Sequence, residues 1–209
     1  MNAITALALT NEVPGAGWLG SWSPGIGDPT FMGWFTVLAY AGAAILCFRL
    51  RSRFSAQSDA VRRKERHYWT GLAVILGFLC LNKQLDLQTA MTEGLRILSV
   101  RGGWYARRSQ FQIAFIVAMA LAVPILSFLL FVFARKLPLA AKLAGLGLVV
   151  LGVFVLIRAA SFHHVDRLLG SRVLLLKMNW VLELGGIAFV LFFGRRRWRE
   201  LDSGPHGRR

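Results

Sequence analysis

Residues 81–89, LNKQLDLQT, put Asn82, Lys83, Gln84 and Asp86 within two helical turns, directly after the apolar run TGLAVILGFLC. Lys83 and Asp86 are three apart and can pair on one helix face. Two further stretches have the same character. RAASFHHVD, residues 158–166, carries Arg158, His163, His164 and Asp166, and KMNWVLELGG, residues 177–186, carries Asn179 and Glu183 four apart on one face. Imidazole and carboxylate suit zinc or iron, so His163, His164 and Asp166, completed by Asp86 or Glu183, make a candidate site for one transition-metal ion such as zinc. An ion held there would activate water for hydrolysis of a lipid-type substrate, with Asp86, Glu183 and Lys83 as the catalytic groups around it. Asn82, Gln84, Arg158 and Asn179 are then structural polar groups.

The same residues admit other chemistry. HHVD can simply cap a helix, since adjacent histidines on a regular helix diverge and reach one ion only where the chain turns. The histidines could instead ligate haem, but two axial ligands usually come from different spans and no C-x-x-C-H attachment motif is present. An ion path through Lys83, Asp86, Arg158 and Glu183 would need polar groups deeper in the protein, where the spans are nearly all apolar apart from Tyr40, expected to serve packing. Finally, the cluster can be an interhelical clamp, or a pocket for a lipid or cofactor.

These residues need elements to position them, and the composition names the class. Hydrophobic residues make up 56% of the chain, and they fall in long blocks separated by arginine clusters. That is the pattern of a membrane protein. Five helices are expected to cross the bilayer, at about 31–48, 69–86, 111–133, 138–157 and 178–194, as an all-α membrane bundle. Residues 1–30 form a Gly-, Pro- and Trp-rich external arm, either flexible or a lid, and 195–209 a basic tail. The opening residues MNAITALALTNE carry no basic side chain, so no cleavable signal peptide is expected. Cys47 and Cys80 lie on different spans and cannot form a disulfide framework. LQTAMTEGLRILS, from Leu87, carries an apolar stripe that suits an interfacial helix, or a continuation of the second span, ending at Gly102-Gly103.

Basic residues orient the bundle. Loop 49–68 holds seven Lys or Arg, the turn at 135–142 three and the tail six, so sixteen lie on one side and eight on the other. The positive-inside rule then puts the N-terminus outside and the C-terminus in the cytoplasm. The three polar clusters fall at one depth, toward the outside. Trp34, Trp104 and Trp180 mark the outer interface, Trp69 and Trp198 the inner one. The net charge of +15 is a cytoplasmic surface for anionic lipids rather than a nucleic-acid site, because no recognition fold or aromatic–basic interleaving accompanies it.

The motifs LNKQLDLQTAMTEGLR, GWYARRSQFQ, IRAASFHHVD and KMNWVLELGGI resemble a group of small, uncharacterised bacterial integral membrane proteins, some catalogued as isopropylmalate isomerase. The resemblance covers about residues 69–190 and implies a multi-pass protein of the bacterial inner membrane. It brings no mechanism. The isomerase of that name is a soluble protein that holds an iron–sulfur cluster with three cysteines, and two cysteines on separate spans cannot supply that set. Isomerase activity of that kind is not expected.

Overall fold

The computed structural model describes residues 17–19, 22–54, 59–85, 90, 93–94, 96–98, 102, 108–160, 172–173 and 176–203. Each apolar block becomes one long helix. Helix α1, Phe31–Ser52, starts where the Thr30 hydroxyl accepts the Gly33 N–H at 3.0 Å, satisfying one of the orphan donors of the first turn. Asp59 does the same for α2, Ala60–Leu85, with its carboxylate accepting the Arg62 N–H at 3.0 Å. Helix α3 spans Arg108–Ala134 and contains Pro124, which removes one backbone donor in mid-helix. Helix α4 spans Leu139–Ala160 and α5 spans Met178–Ser203. Strands β1, Arg172–Val173, and β2, Leu176–Lys177, form a short antiparallel ladder just before α5, with Arg172 opposite Lys177 and Val173 opposite Leu176.

The core sits among α1, α2, α4 and α5. Tyr40, Ala43, Cys47 and Leu50 of α1 meet Trp69, Leu72 and Leu76 of α2, with Ala141, Ala144 and Leu151 from α4 and Ile187 and Val190 from α5. Helix α4 lies chiefly along α5 and α1 along α2, while α3 flanks α4. The α4–α5 contact is close because glycines face each other across it. A Cβ on Gly147 would lie 2.7 Å from the Gly186 carbonyl oxygen, and one on Gly186 would lie 2.8 Å from Leu151 Cγ. A backbone carbonyl cannot give way as a side chain can. Gly147→Val should therefore lower thermal stability in detergent by about 1–3 kcal/mol or more. Gly42→Ala on α1, where a Cβ meets nothing within 4 Å, should be neutral or slightly stabilising. Equal melting temperatures for the two variants would refute the close crossing.

The outside of the bundle is apolar. Leu38, Ile45 and Phe48 on α1, Val74, Phe78 and Leu81 on α2, Leu126, Phe128 and Phe131 on α3, and Phe192 on α5 are each more than half exposed. Water-soluble monomers rarely display so much contiguous apolar surface. Two helices, Phe31–Ser52 and Leu139–Arg158, are long and apolar enough to cross a membrane. Only 28% and 39% of these two segments is buried inside the protein, which suits lipid-facing helices better than the core of a soluble domain.

The helix ends differ from those expected. Helix α2 begins at Ala60, about two and a half turns before the expected 69, and α5 continues through 195–203 rather than ending at 194. Ion pairs tie these polar extensions to each other and to the end of α1. The Arg197 guanidinium grips the Glu65 carboxylate through two hydrogen bonds, of 2.7 and 2.9 Å, and Arg53 pairs with Asp202 at 2.7 Å. Trp69, expected in an interfacial belt, is instead fully buried, and its indole N–H donates to Glu65 Oε1 at 3.1 Å. Hydropathy registers the charge of these segments but not the partner that offsets it.

Candidate functional site

A cavity of about 150 Å³ lies at the end of the bundle formed by the last turns of α2 and α4 and the second turn of α5. Its floor is a buried ion pair. Lys83 Nζ is 3.1 Å from Glu183 Oε2, with the side chains only 8% and 3% exposed. The Tyr40 hydroxyl donates to the other carboxylate oxygen, Glu183 Oε1, at 3.3 Å. Helices α1, α2 and α5 thus converge on one carboxylate. Burial of two charges is tolerable only with close pairing and satisfied lone pairs, and Glu183 has both. Asn82 and Arg158 line the cavity from α2 and α4, beside an apolar wall of Leu79, Phe154 and Val155. The Arg158 side chain is exposed. Among the described residues it makes no ion pair.

The fourth wall is the arm before α1. Gly27 and Asp28 line the cavity, and Asp28 Oδ2 lies 3.7 Å from Lys83 Nζ. Two backbone carbonyls in the last described turn of α2 hold the arm there. The Gly27 N–H donates to Gln84 O at 2.7 Å, and the Trp22 indole N–H donates to Leu85 O at 3.0 Å. Asp28 is fixed in turn by the Thr30 cap, its Oδ1 accepting the Thr30 hydroxyl at 2.6 Å and the Thr30 N–H at 3.3 Å. Gly33 is required beneath it, because a Cβ there would collide with Asp28. Burial pushes the Asp28 carboxyl up, but the Thr30 hydrogen bonds and the Lys83 charge outweigh it and leave it below its ordinary 3.8. Asp28 is therefore ionised at neutral pH, and the part of the arm it anchors is a strap over the cavity.

Of the residues singled out from sequence, Asn82, Lys83, Arg158 and Glu183 come together here. Lys83 takes Glu183 and Asp28 as its partners. Asp86, proposed for that role, lies outside the described residues, as do His163, His164 and Asp166 and the side chain of Asn179. The metal set built on them therefore has no described geometry, and among the described residues no group of three His, Cys, Asp or Glu could hold an ion. Both amide atoms of the Gln84 side chain are buried, with no hydrogen-bond partner among the described residues. Tyr40, expected to be packing, is part of the site. Asp28 escaped notice because nothing in periodicity links it to a lysine 55 positions later. The only sequence signal was local: DPT ahead of an apolar run is a helix-start pattern that fixes residues near Thr30.

Below this cavity the described core is apolar. Leu72, Leu76, Ala43, Cys47, Leu151 and Ile187 fill it. The next buried charge is Glu65, near the other end of α2. The two charged layers are not joined by a polar path among the described residues. Cys80 Sγ lies 3.5 Å from the Val37 carbonyl, some ten residues along α1 from the buried Cys47, and both thiols are free. No family model, no curated protein and no solved structure matches the chain.

Proposed function

We propose that this chain is a multi-pass protein of the bacterial inner membrane, that all five long helices cross the bilayer with the N-terminus outside, and that the charged cavity is an outward-open pocket for a small polar ligand. The carrying observation is the cavity itself. A pure clamp between α2 and α5 would close over its ion pair, whereas about 150 Å³ stays open above Lys83 and Glu183. That is room for about five waters. The uneven distribution of basic residues supports the orientation, and the apolar exterior supports the spans.

Metal-assisted hydrolysis of a lipid-type substrate makes a different demand. The Lys83 ammonium sits between Glu183 and Asp28, where it already supplies the cation those carboxylates attract. An ion would have to be carried by His163, His164 and Asp166, with Asp86. Finding one tightly bound transition metal per purified chain, lost in His163→Ala, would replace the ligand-pocket reading with that one.

Topology is tested directly. In a Cys80→Ala background, Asn82→Cys in intact spheroplasts should react with a membrane-impermeant maleimide. Arg53→Cys should react only after permeabilisation. A reporter active only outside the cytoplasm should work when fused after residue 105 or 170 and fail after 60 or 200. Labelling of Arg53→Cys from outside would invert the bundle and place the pocket in the cytoplasm.

A further inference from the structure

The charges around the cavity do not cancel locally, although their sum is zero. Lys83 and Glu183 neutralise each other in the floor at 3.1 Å. This leaves one anion and one cation at the edges. Among the described residues Asp28 Oδ1 accepts from Thr30, whereas Oδ2 has only the Lys83 ammonium, shared with Glu183, at 3.7 Å, beyond ordinary hydrogen-bond range. Arg158, an exposed residue, lines the same cavity and brings the cation. A simple anion would suit Arg158 but face Asp28 and Glu183. A simple cation would meet the opposite conflict. A ligand carrying both charges, a few ångströms apart, satisfies both edges.

Resting on the outward-open pocket proposed above, we infer that the cavity takes the headgroup of a zwitterionic phospholipid, its phosphate against Arg158 and its primary ammonium against Asp28. Guanidinium is the side chain best matched to phosphate, because its planar fork donates two parallel hydrogen bonds. Asp28 Oδ2, with no partner closer than Lys83 at 3.7 Å among the described residues, can accept a short N–H hydrogen bond, which an ethanolamine ammonium supplies and a quaternary choline cannot. At about 150 Å³ the cavity holds the polar group but not acyl chains. Those chains have an apolar surface nearby, since Phe78 and Leu81 on α2 are more than half exposed. The arm bonded to Gln84 and Leu85 supplies Asp28, so the strap sets the ammonium side of the specificity.

The test uses the full chain in detergent, with thermal stability read against increasing dihexanoylphosphatidylethanolamine, its choline and glycerol counterparts, and phosphoethanolamine without acyl chains. The ethanolamine lipid should raise the melting temperature and bind about tenfold or more tightly than the choline and glycerol lipids. Arg158→Gln and Asp28→Asn should each weaken that binding by about tenfold. If Asp28→Asn also lowers the lipid-free melting temperature, Arg158→Gln decides alone, because its side chain is exposed and supports no described ion pair. Equal stabilisation by all three lipids, or no effect of Arg158→Gln, would overturn the inference. Phosphoethanolamine binding as tightly as the lipid would overturn the lipid as source. External labelling of Asn82→Cys would survive either result, so failure here is distinct from failure of the pocket's placement.

Discussion

Glu183→Ala should cost about 3–5 kcal/mol of stability, seen as a large drop in melting temperature in detergent. The loss arises from what remains. Lys83 is 92% buried at its side chain, being 8% exposed, and without Glu183 its nearest anion is Asp28 at 3.7 Å. An ammonium held in a partly dry site with one distant partner has lost its water and not regained the energy. The Tyr40 hydroxyl would lose its acceptor as well. Replacing both charges, as Lys83→Met with Glu183→Leu, should recover most of the deficit, since apolar pairs of similar volume often substitute for buried ion pairs. Tyr40→Phe alone should cost only about 1 kcal/mol. A double variant as unstable as Glu183→Ala would show that the carboxylate's role is not to neutralise Lys83.

At the other end of the bundle, Arg197→Ala should cost about as much, about 3–5 kcal/mol, because it strands the Glu65 carboxylate. Glu65 is 2% exposed and receives two hydrogen bonds from Arg197 and one from the Trp69 indole. Only the indole would remain. Glu65→Gln should be milder, about 1–3 kcal/mol. It leaves an arginine that is 16% exposed and still bonded to Glu200 at 3.2 Å, and a long side chain can reach water. The asymmetry is the informative result. Equal losses in the two variants would mean that Arg197 is as deeply committed as Glu65. Because the two ion pairs occupy opposite ends of α2, their effects should add.

The same two pairs show how far a sequence carries. Composition and block length were enough for a helical protein with apolar helices, because hydrocarbon demands long unbroken apolar runs and internal backbone hydrogen bonding. All five long helices fall where the apolar blocks lie. The convergence of Lys83, Arg158 and Glu183 was also legible, since a charge on an apolar helix must find a partner and the helices alternate in direction. Which partner each charge finds was not. Lys83 had Asp86 three residues away as the obvious local choice, yet its described partners come from α5 and the arm, 100 and 55 positions distant. Arg197 reads as one of a run of tail arginines, and Glu65 as one charge in a basic loop. Only the packing of both α2 and α5 on α1 brings them together as a buried pair. Local spacing determines which residues share a face. Pairing across faces depends on how helices cross, and those crossings rest on features such as the Gly147–Gly186 approach, which no periodicity announces. The sequence by itself therefore determined the class of protein and the polar set that would gather. Tertiary structure alone decided the ion pairs, because their energies come from desolvation, and desolvation is a property of the packed bundle rather than of any segment in it.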